Sequence, residues 1–442
     1  MGEVIGVDID PPNESWFDVA RFGLFIHWDP ASQRGWEVSW PIAGGIFSLP
    51  HCQSVTPAEY HATAETFDPG VWNPSAIAAA ATAAGMGYVV FTTRHHSGFA
   101  MFDSAHGGHG VRTHLDRRDL FGELVAACRE EGLRVGVYYS LSDWHHPDYP
   151  PLTEEHRPYV LGLTPPLPPE EHASRYRQYL RDQLRELLTN YGRIDLLWFD
   201  GQWERPAEWW DVDGIATLAR GLQPDILIND RLAGHGDFDT PEQFVPPTPP
   251  PGRWESCLTI NDSWGWNPAD SSHRSANELI RALCETAGRG GNLLLNVSPR
   301  GDGSLPTEQL ERLEAIGRWM SRHSAAIHGT EAGLEPWQFY GPSTRQGDLI
   351  HLFVVARPVE SVSVRGLPIR RVRSASVMGS GRRLGFRTRT DVLSQLADDP
   401  SGEMVIDVPA DHLDDDIAVI TLDIARAPID GRTSLAEVAA TD

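Results

Sequence analysis

The sequence predicts an α/β fold: a TIM-like (β/α) barrel, irregular in places, followed by a small C-terminal β-sandwich. From residue 22 to about residue 329, short apolar runs alternate with amphipathic stretches. That is the pattern of β/α units around a parallel sheet. Beyond residue 329 the texture changes to alternating strands with turn signals between them, as in a sandwich. The 442 residues also exceed the usual size of one domain. The division expected is a barrel at 1–334, a sandwich at 335–426 and a loosely attached tail at 427–442. An open doubly wound sheet is the alternative arrangement.

The strand candidates are 22–27, 88–93, 134–139, 194–199, 226–229 and 292–297, each an apolar run of strand length. Helix candidates lie between them at 74–84, 120–131, 170–189, 206–221 and 275–287. Six strands are fewer than a regular barrel needs, so either the barrel is irregular or further strands lie in segments such as 253–260. Two proline-rich stretches, 147–169 and 244–253, read as loops that shape a cleft. In the C-terminal part the strand candidates are 349–355, 361–364, 403–408 and 417–422. No internal repeat is present.

With 37 basic against 61 acidic residues, the formal charge of -24 disfavours nucleic acid and anionic membranes as partners. Cys52, Cys128, Cys257 and Cys284 have neither zinc-ribbon nor redox spacing and read as free thiols. No apolar run is long enough for a bilayer, and the first twelve residues carry acids where a signal peptide needs basic residues. A cytoplasmic protein is therefore expected, or a secreted one if a leader has been removed. The 15 tryptophans lean toward carbohydrate, because indole faces stack on sugars.

In a barrel, the C-terminal ends of the strands converge on one mouth where substrate binds. Here the strand candidates end in His27 and Trp28, in His95 and His96, in Tyr139, in Trp198 and Asp200, and in Asn229 to Arg231. Asp200 is a carboxylate where an apolar strand opens into the cleft; alone it could equally cap a turn. Asp195 lies toward the start of that strand, away from the mouth. A glycosidase needs a second carboxyl group. Glu242, Glu255 and, in the first loop, Glu37 are the candidates, although Glu242 could simply open a helix and Glu255 could pair with an arginine inside a strand. Adjacent histidines on an extended strand point to opposite faces, so His95-His96 with His27 or His145-His146 does not imply a metal centre. No metal or other cofactor is expected. Gly288-Arg289-Gly290-Gly291 precedes a strand rather than a helix and is no phosphate cradle.

Phe22-Gly23-Leu24-Phe25-Ile26-His27-Trp28, Arg94-His95-His96-Ser97-Gly98-Phe99, Leu197-Trp198-Phe199-Asp200-Gly201, Ser263-Trp264-Gly265-Trp266 and Gly290-Gly291-Asn292-Leu293-Leu294-Leu295-Asn296-Val297-Ser298-Pro299 together resemble the family 29 α-L-fucosidases. The likeness runs from about residue 16 to residue 310 in the family's order, and the C-terminal sandwich fits as well. It implies a retaining exo-glycosidase that removes terminal α-L-fucose from oligosaccharides or glycoconjugates without a metal. It also implies Asp200 as nucleophile, and His27, His95, His96, Tyr139, Trp198 and Arg231 as residues that hold fucose hydroxyls or flank the nucleophile. Trp264 matches an aromatic on the sugar's methyl side. Glu37 resembles the glutamate of a Glu-Trp motif, here separated from Trp40 by Val38-Ser39. The acid/base position varies within the family. Glu242, in Thr240-Pro241-Glu242-Gln243, is favoured over Glu255, and its context resembles the branch preferring α-1,3 and α-1,4 linkages. Two departures stand out: Asp29 replaces a glycine, and Ser97 replaces a common aspartate. A catalytically degenerate fucose-binding protein, or a barrel glycosidase for another sugar such as galactose, are the competing readings.

Overall fold

The computed structural model describes residues 15–45, 48–158, 167–409, 413 and 416–427. The expected tail beyond residue 427 and the acid-bearing start lie outside the described residues. Packing divides the chain into one unit of 1–279 with 291–320 and a second of 280–290 with 321–442.

The first unit is built on seven parallel strands: β1 (Phe22–Ile26), β2 (Tyr88–Arg94), β3 (Arg134–Ser140), β4 (Leu196–Asp200), β5 (Leu227–Ile228), β6 (Glu255–Thr259) and β7 (Asn292–Val297). They lie in the order β5-β4-β3-β2-β1-β7-β6. The strand hidden in 253–260 is β6. Parallel strands covered on both faces carry apolar residues throughout, and β1, β2, β4, β6 and β7 are buried at every position.

An irregular segment, 238–243, fills the gap between the edge strands β5 and β6. It bridges Asn229 through Phe238, and Trp254 and Cys257 through Asp239 and Glu242, always in parallel sense. Pro241 accepts a hydrogen bond from the Cys257 amide but has no N–H to return. The ring is thus completed by isolated bridges rather than a ladder, and the segment brings Glu242 to the edge of β6.

Side chains alternate inward along each strand. Phe25, Tyr88, Val90, Tyr138, Leu196, Trp198, Cys257 and Leu294 join one buried cluster with Trp16 and Phe17 of the short helix Trp16–Ala20. Trp16 meets Tyr88 edge-on at 5.4 Å, and Phe17 meets Phe238 at 4.8 Å. Tyr88 opens β2, so this helix plugs the N-terminal end of the ring. Each such side chain contributes about 1.5–3 kcal/mol by leaving water.

The helices Pro74–Ala83, Leu120–Glu130, Glu170–Asn190 and Ala276–Gly288 fall where the sequence placed them. The helix expected at 206–221 is two, Ala207–Trp210 and Val212–Leu222, broken at Asp211, whose φ of 59° is left-handed. The helix Thr307–His323 had no sequence-based assignment. Among the described residues no helix is long and apolar enough to cross a membrane.

The second unit holds two antiparallel sheets. Five strands, β8 (Glu331–Ala332), β9 (Ser343–Gln346), β10 (Leu349–Val354), β12 (Val372–Val377) and β15 (Ala418–Ile424), are ordered β12-β15-β10-β9-β8. Three more, β11 (Ser361–Pro368), β13 (Phe386–Arg389) and β14 (Ser401–Asp407), are ordered β11-β14-β13. Ile350, Leu352, Ala418 and Ile420 of the first sheet share one core with Val362, Val364, Met404 and Ile406 of the second, a sandwich.

Candidate active site

Asp200 ends β4 on the inward face, directly beyond Trp198. Arg231 donates from Nη1 to Asp200 Oδ1 at 2.6 Å, and the Tyr138 hydroxyl donates to Oδ2 at 2.7 Å. His96 Nε2 stands 3.6 Å from Oδ2. Burial pushes the carboxyl pKa up, but Arg231, His96 and the Tyr138 hydroxyl outweigh it and hold Asp200 below the ordinary range. Asp200 is therefore an anion at neutral pH, with both oxygens oriented.

Arg231 reaches further than one carboxylate. Its Nη2 donates to Glu242 Oε2 at 2.7 Å, its Nε donates to Thr240 Oγ1, and its guanidinium lies 4.4 Å from the Trp198 ring centre. One planar fork thus grips Asp200 and Glu242 together, a geometry that lysine cannot supply. Glu242 keeps 40% of its side chain exposed, so solvent and a leaving group can reach it.

The histidines are set by second partners. His27 Nδ1 donates to Asn296 Oδ1 at 2.7 Å, and Asn296 Nδ2 donates to the Trp264 carbonyl. His27 Nε2 is left to accept. His95 Nδ1 lies 2.6 Å from Ser39 Oγ, and His96 Nδ1 lies 2.6 Å from Ser140 Oγ. Burial lowers His27 and His96 to about 4 and holds His95 well below its ordinary value, so all three rings are neutral hydrogen-bonding groups at pH 7. The His95 ring stacks on Tyr138, and the Trp264 ring lies 4.8 Å from His27. Trp40, half-buried, meets His96 at 5.6 Å and Trp144 at 5.8 Å.

Several expectations need correction. Tyr139 faces the other way: its hydroxyl donates to Gln183 of the helix Glu170–Asn190, and Arg94 covers its ring at 4.2 Å. The side chain aimed into the mouth is Tyr138, because β3 pairs Tyr138 with Trp198 and Ser140 with Asp200, and only that parity points inward. Glu255 opens β6 at the opposite end from the mouth, fully buried, accepting from Tyr88 Oη and Trp198 Nε1. Burial pushes it up to about 7. Glu37 also turns inward, accepting from the amides of Val38, Trp264 and Gly265. Its carboxylate fixes the Trp264 loop, and burial raises it to about 7. His95 and His96 do not point to opposite faces. The register shifts between Thr92 and Arg94, the strand ends, and the two rings come within 4.2 Å.

That turn brings His95, His96 and Asp200 close enough to suggest a metal centre, their ligand atoms lying within 4.8 Å. Both Asp200 oxygens are already engaged, one by a guanidinium whose positive charge opposes a cation there. The set fits an anionic nucleophile better than a ligand sphere.

Asp29 and Ser97, the two departures from the family pattern, meet. Ser97 Oγ donates to Asp29 Oδ2 at 3.1 Å, and the Tyr60 hydroxyl donates to the same oxygen at 2.6 Å. The Ser39 amide in turn donates to Tyr60 Oη, linking this buried carboxyl to the serine that holds His95. One carboxyl group, that of Asp29, thus serves both hydroxyls at this junction. Burial raises it to about 6. Tyr60, Ser39, Ser140 and Asn296 went unrecognised in sequence, because isolated hydroxyl and amide side chains carry no periodic signal whether on a strand, a helix or a loop.

Tyr138→Phe is expected to lower kcat/KM about tenfold, the value of one hydrogen bond to a charged group. It should also move the acid limb of the pH profile upward, since a lost donor raises the Asp200 pKa. Tyr139→Phe should leave both unchanged and cost about 1 kcal/mol in denaturant unfolding. The reverse pattern would return Tyr139 to the mouth.

Comparison with known proteins identifies the family and the fold. The sequence profile described as Alpha-L-fucosidase matches residues 8–325. The tissue α-L-fucosidase of Mus musculus is 30% identical over 352 residues, covering 74% of this chain and 73% of its own. Among solved structures, α-L-fucosidase isoenzyme 1 from Paenibacillus thiaminolyticus superposes with TM-score 0.79 at 32% identity, covering 92% of this chain and 97% of that one. A Bacteroides thetaiotaomicron α-L-fucosidase, trapped as a covalent intermediate with 2-fluoro-fucosyl fluoride, superposes with TM-score 0.79 at 25% identity over 95% and 99% of the two chains.

Proposed function

Because the chain belongs to the α-L-fucosidase family, we propose that it is a retaining exo-α-L-fucosidase in which Asp200 is the nucleophile and Glu242 the acid/base. The observation that carries the assignment is the single guanidinium of Arg231 bridging the two carboxylates at the mouth. Retaining enzymes need two carboxyl groups close together, about 5–5.5 Å apart, and Arg231 holds one oxygen of each at 2.6 and 2.7 Å.

In the first step Asp200 Oδ attacks the anomeric carbon and the bond to the aglycone oxygen breaks, with Glu242 protonating that oxygen. The Arg231 contact is to Oε2, so Oε1 is the oxygen that carries the proton to the departing group. In the second step Glu242 takes a proton from water, which attacks the fucosyl ester and releases fucose with its configuration retained. The neutral rings of His27, His95 and His96 suit sugar hydroxyls, and Trp264 suits the apolar methyl side. These groups, with two carboxylates engaged at one mouth, favour an enzyme over a degenerate binding protein.

The substrate class is tested by a panel of aryl glycosides and fucosylated oligosaccharides. Release of L-fucose from α-L-fucosides, with no turnover of α-galactosides, is expected; turnover of galactosides alone would overturn the assignment. The Thr240-Pro241-Glu242-Gln243 context favours branched oligosaccharides with α-1,3- or α-1,4-linked fucose, which the panel should show released faster than linear α-1,2-linked fucose. Fucosylated glycans are the partners this reading calls for.

A further inference from the structure

Three histidines outside the sugar pocket converge from three loops. His61 ends the helix Pro57–His61, His109 lies in the loop after β2, and His145 lies in the loop after β3. One ring nitrogen from each lies within 4.8 Å of the other two. The rings of His109 and His145 stack at 4.0 Å, while His61 meets His145 at 4.7 Å and His109 at 5.6 Å.

A packed histidine ordinarily gives its N–H to an acceptor and its lone pair to a donor. Both ring nitrogens of His61 are instead buried with no hydrogen-bond partner among the described residues. Asp143, ion-paired to Arg94 through Oδ2, fixes the loop that carries His145, its Oδ1 accepting from the amides of His145 and His146. Three imidazoles converging from three loops form a donor set suited to a borderline divalent ion.

We propose that His61, His109 and His145 bind one divalent transition-metal ion, Zn2+ or a metal of similar preference, with solvent at the fourth position beside the exposed His145. Tetrahedral coordination at about 2.0–2.1 Å puts ligand nitrogens about 3.3 Å apart, so the cluster needs to close by no more than about 1.5 Å, through side-chain rotation. The ion takes no part in bond cleavage. It clamps the loops after β1, β2 and β3 behind the pocket, next to Tyr60 and its contacts to Asp29 and Ser39.

The test uses the full chain without a histidine tag, stripped with EDTA and titrated with ZnCl2 at neutral pH by calorimetry, with thermal unfolding recorded alongside. Binding of one equivalent and a rise in melting temperature are expected. His145→Gln, at the exposed ligand, and His109→Gln should each weaken binding by at least about tenfold. Asp200→Asn should bind as the wild type does. No uptake by the wild-type chain at about 100 µM ZnCl2, a level where a site of micromolar affinity is filled, overturns the proposal. So does binding that survives both histidine substitutions. Loss of binding in Asp200→Asn also overturns it, by placing the ion in the sugar pocket.

Discussion

Asp200→Ala is expected to lower kcat/KM for an aryl α-L-fucoside by roughly 10^4-fold, the scale of losing a nucleophile that acts with its partners as a unit. The side chain is buried and makes three contacts, to Arg231, Tyr138 and His96, each arranged around an anion. Alanine removes that anion and leaves the Arg231 guanidinium paired with Glu242 alone. The fold should persist, because Asp200 terminates β4 rather than joining the apolar cluster beneath. Circular dichroism and size-exclusion behaviour like those of the wild type, together with lost turnover, would separate chemistry from folding. Azide, small enough for the vacated space, should attack the anomeric carbon from the face Asp200 occupied and yield the inverted β-fucosyl azide. Wild-type turnover in Asp200→Ala would remove the nucleophile assignment. The pH profile gives a second reading. Asp200 is held below the ordinary aspartate range, so it stays ionised as pH falls through about 3.9, and the acid limb of kcat/KM should lie below that value.

What the sequence revealed about this site follows from how the barrel is built. Asp200 was legible because a carboxylate ending an unbroken apolar run has few places to go but the open end of a buried strand. Tyr138 was not. A strand covered on both faces buries Val135, Val137 and Tyr139 as thoroughly as Gly136, Tyr138 and Ser140, so composition cannot tell inside from outside. The pairing with β4 decides the parity, and pairing is a property of two segments 60 residues apart. The same holds for His95 and His96, whose shared side depends on a register shift at Arg94 that no local pattern announces. The irregular segment 238–243 escaped notice because its contacts to β5 and β6 are single bridges. Pro241 within it also reads as a strand breaker. The contact between Ser97 and Asp29 joins residues 68 apart in the chain, and no local pattern announces it.

Glu242 and Glu255 answer differently to substitution, because one sits at the mouth and the other beneath it. Glu242→Ala should lose roughly 10^2- to 10^4-fold on an oligosaccharide, whose departing oxygen needs a proton. On an aryl fucoside with a good leaving group the first step should hardly change. The second step, which needs Glu242 as base, should then limit, so that the fucosyl-enzyme accumulates and azide restores turnover. Glu255→Gln should show none of this. Its position between Tyr88 and Trp198 lies out of reach of the anomeric carbon, and its effect should fall on stability. The folded pKa of about 7 lies above the usual 4.5, so the folded state holds the proton more tightly. That contribution is present in full below pH 4.5 and is lost as pH rises toward 7. Glutamine mimics the protonated acid at every pH. The variant should therefore gain on the wild type across that window, by an amount on the order of 3 kcal/mol, and level off above it. Azide rescue of Glu255→Ala, or unchanged oligosaccharide turnover in Glu242→Ala, would reverse the assignment of the acid/base.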